Sequence, residues 1–149
     1  PAVPDFTYLN NDEARAKAGL DDLATVGDIG YLDEDGYLFI CDRKSDMVIS
    51  GGVNIYPAEI EHQLIALPGV LDCAVFGVPD AEYGESLVAV VATTDPALSE
   101  ERIKDVIRQR MAGYKTPRQV HLVASLPRDD NGKVAKRKLK DAYSSTVAG

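Results

Sequence analysis

Two β-rich apolar runs, VLDCAVFGV at residues 70–78 and LVAVVAT at 87–93, are separated only by the turn-like stretch PDAEYGES. They read as strands of one sheet, and the segments around them alternate with them as helices. Pro57 suits a first helical turn, and Ile60, Leu64 and Leu67 mark one face of a helix that Pro68-Gly69 ends. A second helix has Ser99 as its N-cap and Glu100 and Glu101 in its positive first turn. Its core face is Ile103, Val106, Ile107 and Met111, with Gly113 past its end. Residues 119–124 make a further strand and 134–143 a further helix.

Upstream, the run YLDEDGYLFI at 31–40 places Asp35-Gly36 between two short apolar segments. Asp-Gly supplies the positive φ angles of a tight primed turn, so a hairpin is expected. The segment CDRKSD is charged and aperiodic and reads as a linker, after which MVIS and VNIY pair around Gly51-Gly52. Residues 1–22, polar and Ala-rich, read either as an ordered tail of a missing neighbour or as partly disordered. The expected fold is α+β: a small open sheet of about three strands with packed helices, preceded by a β-hairpin and a short two-stranded ribbon.

A chain of 149 residues with 45% hydrophobic side chains suits one folded domain with a short extra piece. No apolar run approaches the roughly 20 residues that span a bilayer. The chain opens without an initiator Met, a basic n-region or an apolar h-region, so it reads as a fragment of something longer and not as a secretory signal. Cys41 and Cys73 form no C-x-x-C, and clustered His is absent. A disulfide framework or metal site is not expected; both thiols read as small buried hydrophobes, and a cytoplasmic location fits.

The net charge of −8 argues against a nucleic-acid partner. Residues 1–100 carry 4 basic and 19 acidic side chains, whereas residues 101–149 carry 12 basic and 5 acidic. Solvated helix faces explain that split. A sharper reading turns the C-terminal third toward an anionic ligand, and the motifs favour it.

Three segments place flexible or charged residues where a purely structural loop has no need of them. In TVGDIGYLDEDG, Asp28 follows Gly27, and a carboxylate there suits the two hydroxyls of a ribose as well as an ordinary turn. In DRKSDMVISGGVNIYPAEIE, Gly51-Gly52 permits close approach of a ligand chain or simply makes a turn. Arg43, in an acidic stretch, is a salt-bridge partner or a phosphate or ribose contact. In PRDDNGKVAKRKL, Asn131-Gly132 delivers Lys133 at the tip of a turn before a basic helix. An ammonium there suits charge developing on phosphoryl oxygens and a carboxylate, though a solvated lysine has the same pattern.

In order and spacing these segments resemble the AMP-forming adenylating superfamily of acyl-CoA synthetases, luciferases and peptide-synthetase adenylation domains. The resemblance runs from about Thr25 to Leu139 and is strongest in SGGVNIYPAEIE. Its Asn54-Ile55-Tyr56-Pro57 resembles acyl- and aryl-CoA synthetases, without the Gly-x-Arg-x-Glu pattern of peptide-synthetase domains. The resemblance implies that Asp28 and Arg43 bind ATP or AMP, that Lys133 is the adenylation lysine, and that Ser45 is the hinge. It also implies that Gly51 and Gly52 line the pantetheine tunnel of CoA, with Tyr114 on its adenine and Arg118 on a phosphate. Residues 1–42 would be the edge of a large N-terminal domain, 43–46 the hinge, and 47–149 a mobile lid.

The implied reaction takes a carboxylic acid, by default a fatty acid, with ATP, CoA and Mg2+ to acyl-CoA, AMP and pyrophosphate. The phosphate loop, the acyl pocket and most Mg2+ contacts would lie in the N-terminal domain, so the fragment is expected to be inactive alone. Ser45 stands where Asp or Lys is usual, Val26 where Thr is usual, and Thr116 where some relatives carry a basic residue. The Pro127 to Gly132-Lys133 array also resembles the site at which acetyltransferases silence such enzymes. The rival readings are the tail of a peptide-synthetase adenylation domain and a non-catalytic α+β binding module.

Overall fold

The computed structural model of the chain describes residues 27–147, together with two short strands at 19–20 and 23–24; side chains are described from 27 to 144. The rest of the expected 1–22 tail lies outside the described residues. Two compact units divide the chain between Ser45 and Asp46.

In the first unit, β1 (Gly19–Leu20) pairs antiparallel with β2 (Leu23–Ala24). A longer hairpin follows, β3 (Asp28–Leu32) with β4 (Leu38–Arg43). Its turn is not the two-residue primed turn expected at Asp35-Gly36. Asp33 and Tyr37 close it, with the Asp33 N–H donating to the Tyr37 carbonyl and the Gly36 N–H donating to the Asp33 carbonyl. Glu34, Asp35 and Gly36 therefore form a three-residue loop with Gly36 in the left-handed region at φ 84°. The Asp33 carboxylate selects this loop by accepting the N–H groups of Asp35 and Tyr37. The linker is also shorter than expected, because Cys41, Asp42 and Arg43 belong to β4.

The second unit is built on a five-stranded mixed sheet. β5 (Val48–Ser50) and β6 (Val53–Ile55) pair antiparallel, with Ser50 opposite Val53. Gly51 and Gly52 thus form a two-residue turn with φ angles of 57° and 79°, the primed geometry that only glycine adopts freely at both positions. This ribbon is not separate from the sheet as expected: Ser50 bridges Gly84 on β8. The longest strands are β7 (Val70–Asp80), at the sheet edge, and β8 (Gly84–Thr93); both exceed their apolar runs, and only three residues join them. β9 (Gln119–Val123) lies parallel to β8.

Both faces of β7 and β8 are covered, which is why they read as near-continuous apolar runs. On one face Cys73, Val75, Leu87, Ala89 and Val91 pack with Ile60 and Leu64 of α1 (Pro57–Ile65) and Ile103 and Ile107 of α2 (Glu100–Arg110). On the other, Ala74, Phe76, Val78, Val88 and Val90 pack with Leu126 and with Leu139 of α3 (Lys136–Val147). Ser99 caps α2 as expected, its Oγ accepting the Arg102 N–H at 3.2 Å. Val106 and Met111 are only half-buried and pack against this core from its margin. Of the two thiols, Cys73 is buried and Cys41 is half-exposed, a correction to the expectation that both are interior.

Candidate functional site

Asp28 and Arg43 lie opposite each other at the open end of the β3–β4 ladder. The Lys44 N–H donates to the Gly27 carbonyl at 2.7 Å and closes that end. Arg43 Nε stands 3.7 Å from Asp28 Oδ1, and both side chains are well exposed. An exposed pair at this distance contributes about 0–1 kcal/mol. Both groups remain open to a polyhydroxylated ligand, and the two candidates from separate motifs fall at one place.

In the second unit, Gly51, Tyr114 and Arg118 line a cavity of about 510 Å3 together with Tyr83, Lys104 and Arg108. Gly52, on the same turn, is not among the lining residues. A Cβ at Gly52 would meet nothing within 4 Å, whereas one at Gly51 would stand 3.3 Å from the Tyr83 ring. The Gly51 N–H donates to the Tyr83 carbonyl at 2.9 Å, so the glycine turn leans on the loop that joins β7 and β8.

That same loop holds Arg118. Its guanidinium lies 4.3 Å from the centre of the Tyr83 ring and 3.3 Å from Asp80 Oδ2. Asp80 Oδ1 accepts the N–H groups of Glu82 and Tyr83, each at 3.0 Å. Those two backbone donors, aided by Arg118, hold the Asp80 carboxyl below the usual carboxylate range. Lys104 Nζ donates to the Arg118 carbonyl at 2.6 Å and to Glu100 Oε1 at 2.5 Å. This charge-assisted bond holds the Glu100 carboxyl below its ordinary range. Tyr83, Asp80, Lys104 and Arg108 were not singled out from the sequence; the signal for the first two was an Asp-x-x-Tyr-Gly turn between two strands.

Lys133 is presented by a third loop. Asp129 Oδ1 accepts the N–H groups of Asn131 and Lys133, each at 2.9 Å. The Asp129 N–H donates to the Lys133 carbonyl at 2.8 Å, and the Gly132 N–H donates to the Asp129 carbonyl at 2.9 Å. Gly132 has a φ of 77°. This is the arrangement of Asp33 to Tyr37, written D-E-D-G-Y there and D-D-N-G-K here. The Lys133 side chain is exposed, and no described residue pairs with its ammonium.

The other basic residues of the C-terminal third are mostly occupied. Lys104, Lys115, Arg118, Arg128, Lys136 and Lys140 pair with Glu100, Glu59, Asp80, Asp72, Glu61 and Glu85. Every one of those acids lies between residues 59 and 100, so much of the charge split is neutralised inside the protein. The expectation of a C-terminal third that faces an anionic ligand is weakened to that extent; Arg102, Arg110, Lys133, Arg137 and Lys138 carry no ion pair among the described residues.

Among the described residues no group of three or more His, Cys, Asp or Glu side chains is placed to hold a metal ion, and no helix is long and apolar enough to cross a membrane.

Residues 59–133 match the family model described as the AMP-binding enzyme C-terminal domain. The chain is 44% identical over 138 residues to a 2-succinylbenzoate–CoA ligase of Listeria innocua, covering 93% of this chain and 29% of that protein. It is 44% identical over 140 residues to the long-chain-fatty-acid–CoA ligase FadD13 of Mycobacterium tuberculosis, covering 94% and 28%. The structure of o-succinylbenzoate CoA synthetase from Bacillus subtilis, in complex with its acyl-adenylate intermediate, superposes with a TM-score of 0.82 at 36% identity, covering 91% and 28%. The fold and the match define a C-terminal domain of the AMP-forming adenylating superfamily. The chain belongs to the AMP-binding enzyme C-terminal domain family and spans less than a third of the length of these relatives.

Proposed function

We propose that this chain is the mobile lid of an ATP-dependent acyl-CoA synthetase, which converts a carboxylic acid, ATP and CoA to acyl-CoA, AMP and pyrophosphate. The observation that carries the proposal is the exposed Lys133 ammonium, without a partner among the described residues, on a loop braced by the Asp129 carboxylate. A second locus is the cavity of Gly51, Tyr114 and Arg118. The two are supported from different faces of the sheet. The cavity draws on α2, whose Ile103 and Ile107 pack on one face; Lys133 precedes Val134, which packs on the other.

In the first half-reaction the acid's carboxylate attacks the ATP α-phosphorus and pyrophosphate leaves. Negative charge crowds onto the attacking carboxylate and the phosphoryl oxygens, and the Lys133 ammonium neutralises it. Asp28 accepts the ribose hydroxyls, with Arg43 beside it for ribose or phosphate. In the second half-reaction the CoA thiol displaces AMP. Gly51 and Gly52 then flank the pantetheine arm, Tyr114 meets the adenine and Arg118 a phosphate. Rotation at 43–46, centred on Ser45, exchanges the two faces between the steps.

The partner for both steps is the enzyme's own N-terminal domain, which would supply the acid pocket and the Mg2+ contacts. The exposed Tyr31, Leu32, Tyr37, Leu38 and Ile40 of the hairpin support such a partner. A fatty acid is the first substrate to test, and a succinylbenzoate-like aryl acid the second, because relatives named for both are equally similar. Two free thiols fit a cytoplasmic location. The exposed Lys133 amine also suits a protein acetyltransferase, whose product would lack the charge adenylation needs.

Lys133→Ala in the full-length enzyme is the test. Pyrophosphate release with acid and ATP should fall by about a hundredfold or more, while thioester formation from supplied acyl-adenylate persists. Equal losses in a folded variant overturn the division of labour.

A further inference from the structure

We propose that Asp129 and Arg128 are positioning residues that fix the direction in which Lys133 is delivered, an inference that rests on Lys133 being the adenylation lysine. Asp129 holds both backbone polar groups of Lys133, its Oδ1 accepting the N–H and its own N–H donating to the carbonyl. Both backbone groups of Gly132 are held as well. The Gly132 N–H donates to the Asp129 carbonyl, and its carbonyl accepts from Arg128 Nη1 at 2.6 Å. Arg128 Nη2 in turn pairs with Asp72 on β7, so the loop is referred directly to the sheet.

The brace lies outside the hydrophobic core. Residues 128–133 are exposed, and the core ends at Leu126 on one side and is met again only at Val134 on the other. The Asp33 loop has the same capping carboxylate and the same left-handed glycine, so the D-x-x-G frame is a general way to build a rigid three-residue turn. Here the residue that closes the frame is the lysine itself. A lysine side chain swings on a four-carbon stem. Fixing its Cα and both flanking peptides removes the backbone share of that freedom, and the Arg128–Asp72 link removes the swing of the loop as a whole. An ångström of misplacement at a reacting group costs about a hundredfold in rate. The brace therefore acts on the adenylation step alone.

The experiment compares Asp129→Ala, Asp129→Asn, Arg128→Ala and Lys133→Ala in the full-length enzyme. Each is measured for pyrophosphate release, for thioester formation from supplied acyl-adenylate, for melting temperature and for hydrogen exchange at the Lys133 amide. Asp129→Ala should lower kcat for adenylation by about ten- to a hundredfold, leave thioester formation and melting temperature unchanged, and speed exchange at Lys133. Asp129→Asn keeps an acceptor oxygen and should restore most of the rate. Arg128→Ala should show the same split between half-reactions. If Lys133→Ala abolishes adenylation while Asp129→Ala adenylates at the wild-type rate with faster amide exchange, the positioning role is overturned and the role of Lys133 stands. If Lys133→Ala adenylates normally, both fall together. Parallel losses in both half-reactions with a lowered melting temperature for Asp129→Ala also overturn positioning, in favour of plain stability.

Discussion

Cys73 and Gly52 show how differently single residues are constrained. The Cys73 thiol is buried on β7, and loss of hydration pushes its pKa up to about 12, with the Glu61 and Asp72 carboxylates adding to the rise. At neutral pH it is a thiol and not a thiolate, so iodoacetamide should label the half-exposed Cys41 and leave Cys73 intact until the protein unfolds. The folded pKa lies above the unfolded one. Its stabilising contribution is therefore fully present below pH 9 and is lost as pH rises toward 12, by about 1.4 kcal/mol per pH unit. Cys73→Ala should lower stability at pH 8, and the gap to the wild type should narrow by pH 10.5 in urea titrations; a constant gap defeats the assignment. Gly52 is held by backbone conformation alone, because open space surrounds its missing Cβ. Gly52→Leu adds strain and bulk together, whereas Asn tolerates the left-handed region. Gly52→Asn should stay near the wild-type melting temperature and still impair thioester formation if the pantetheine arm passes there. An Asn variant with full thioester activity removes Gly52 from the tunnel.

At the scale of elements, the edge of β7 is closed by a side chain. Glu61 on α1 accepts the Val75 N–H at 2.7 Å and pairs through the same Oε1 with Lys136 of α3 at 2.7 Å. One carboxylate thereby satisfies an edge strand and ties helices from both faces of the sheet. Glu61→Ala should cost about 1.5–3 kcal/mol in urea unfolding, and Glu61→Gln, which keeps an acceptor, clearly less. Equal small effects from both would show that water replaces the side chain without loss. None of this was legible in the sequence, because Glu61, Val75 and Lys136 are joined only by the tertiary fold. What the sequence displayed was local: the apolar runs of β7 and β8, the Ser99 cap, the Gly51-Gly52 turn. The Asp35-Gly36 hairpin was located correctly and its turn misread, since the Asp33 carboxylate shifts the closing pair by one residue. The ribbon was separated from the sheet because a single bridge, Ser50 to Gly84, joins them and leaves no periodic signal. In the candidate site the glycines and Lys133 announced themselves as unusual types in turns, and Asp28 and Arg43 as charges beside a glycine and in an aperiodic stretch. Tyr83 and Lys104 did not, because each reads as an ordinary surface residue until the chain folds.

At the scale of the whole molecule, the division between Ser45 and Asp46 falls within the segment proposed as the hinge. The proposed nucleotide contacts Asp28 and Arg43 precede that division, and Lys133 and Gly51, the groups of the two half-reactions, both follow it. One lid presenting Lys133 in one step and the glycine turn in the next has to turn about a few backbone dihedrals. Proline at position 45 fixes φ near −65°, removes the backbone N–H there and restricts Lys44 as well, without adding charge to either unit. Ser45→Pro in the full-length enzyme should therefore separate the half-reactions. One should fall at least about tenfold more than the other, a difference of about 1.4 kcal/mol in activation free energy, because only one orientation remains easily reached. Ser45→Ala is the control, since it removes the hydroxyl and leaves the dihedrals free; it should show no such separation. The measurements are pyrophosphate release and thioester formation from supplied acyl-adenylate, with the melting temperature taken on the same preparations. If Ser45→Pro keeps its melting temperature and both half-reactions continue at their wild-type ratio, the rotation does not pass through residue 45. If Ser45→Ala separates the half-reactions as strongly as Ser45→Pro, the hydroxyl and not the backbone governs the change of step.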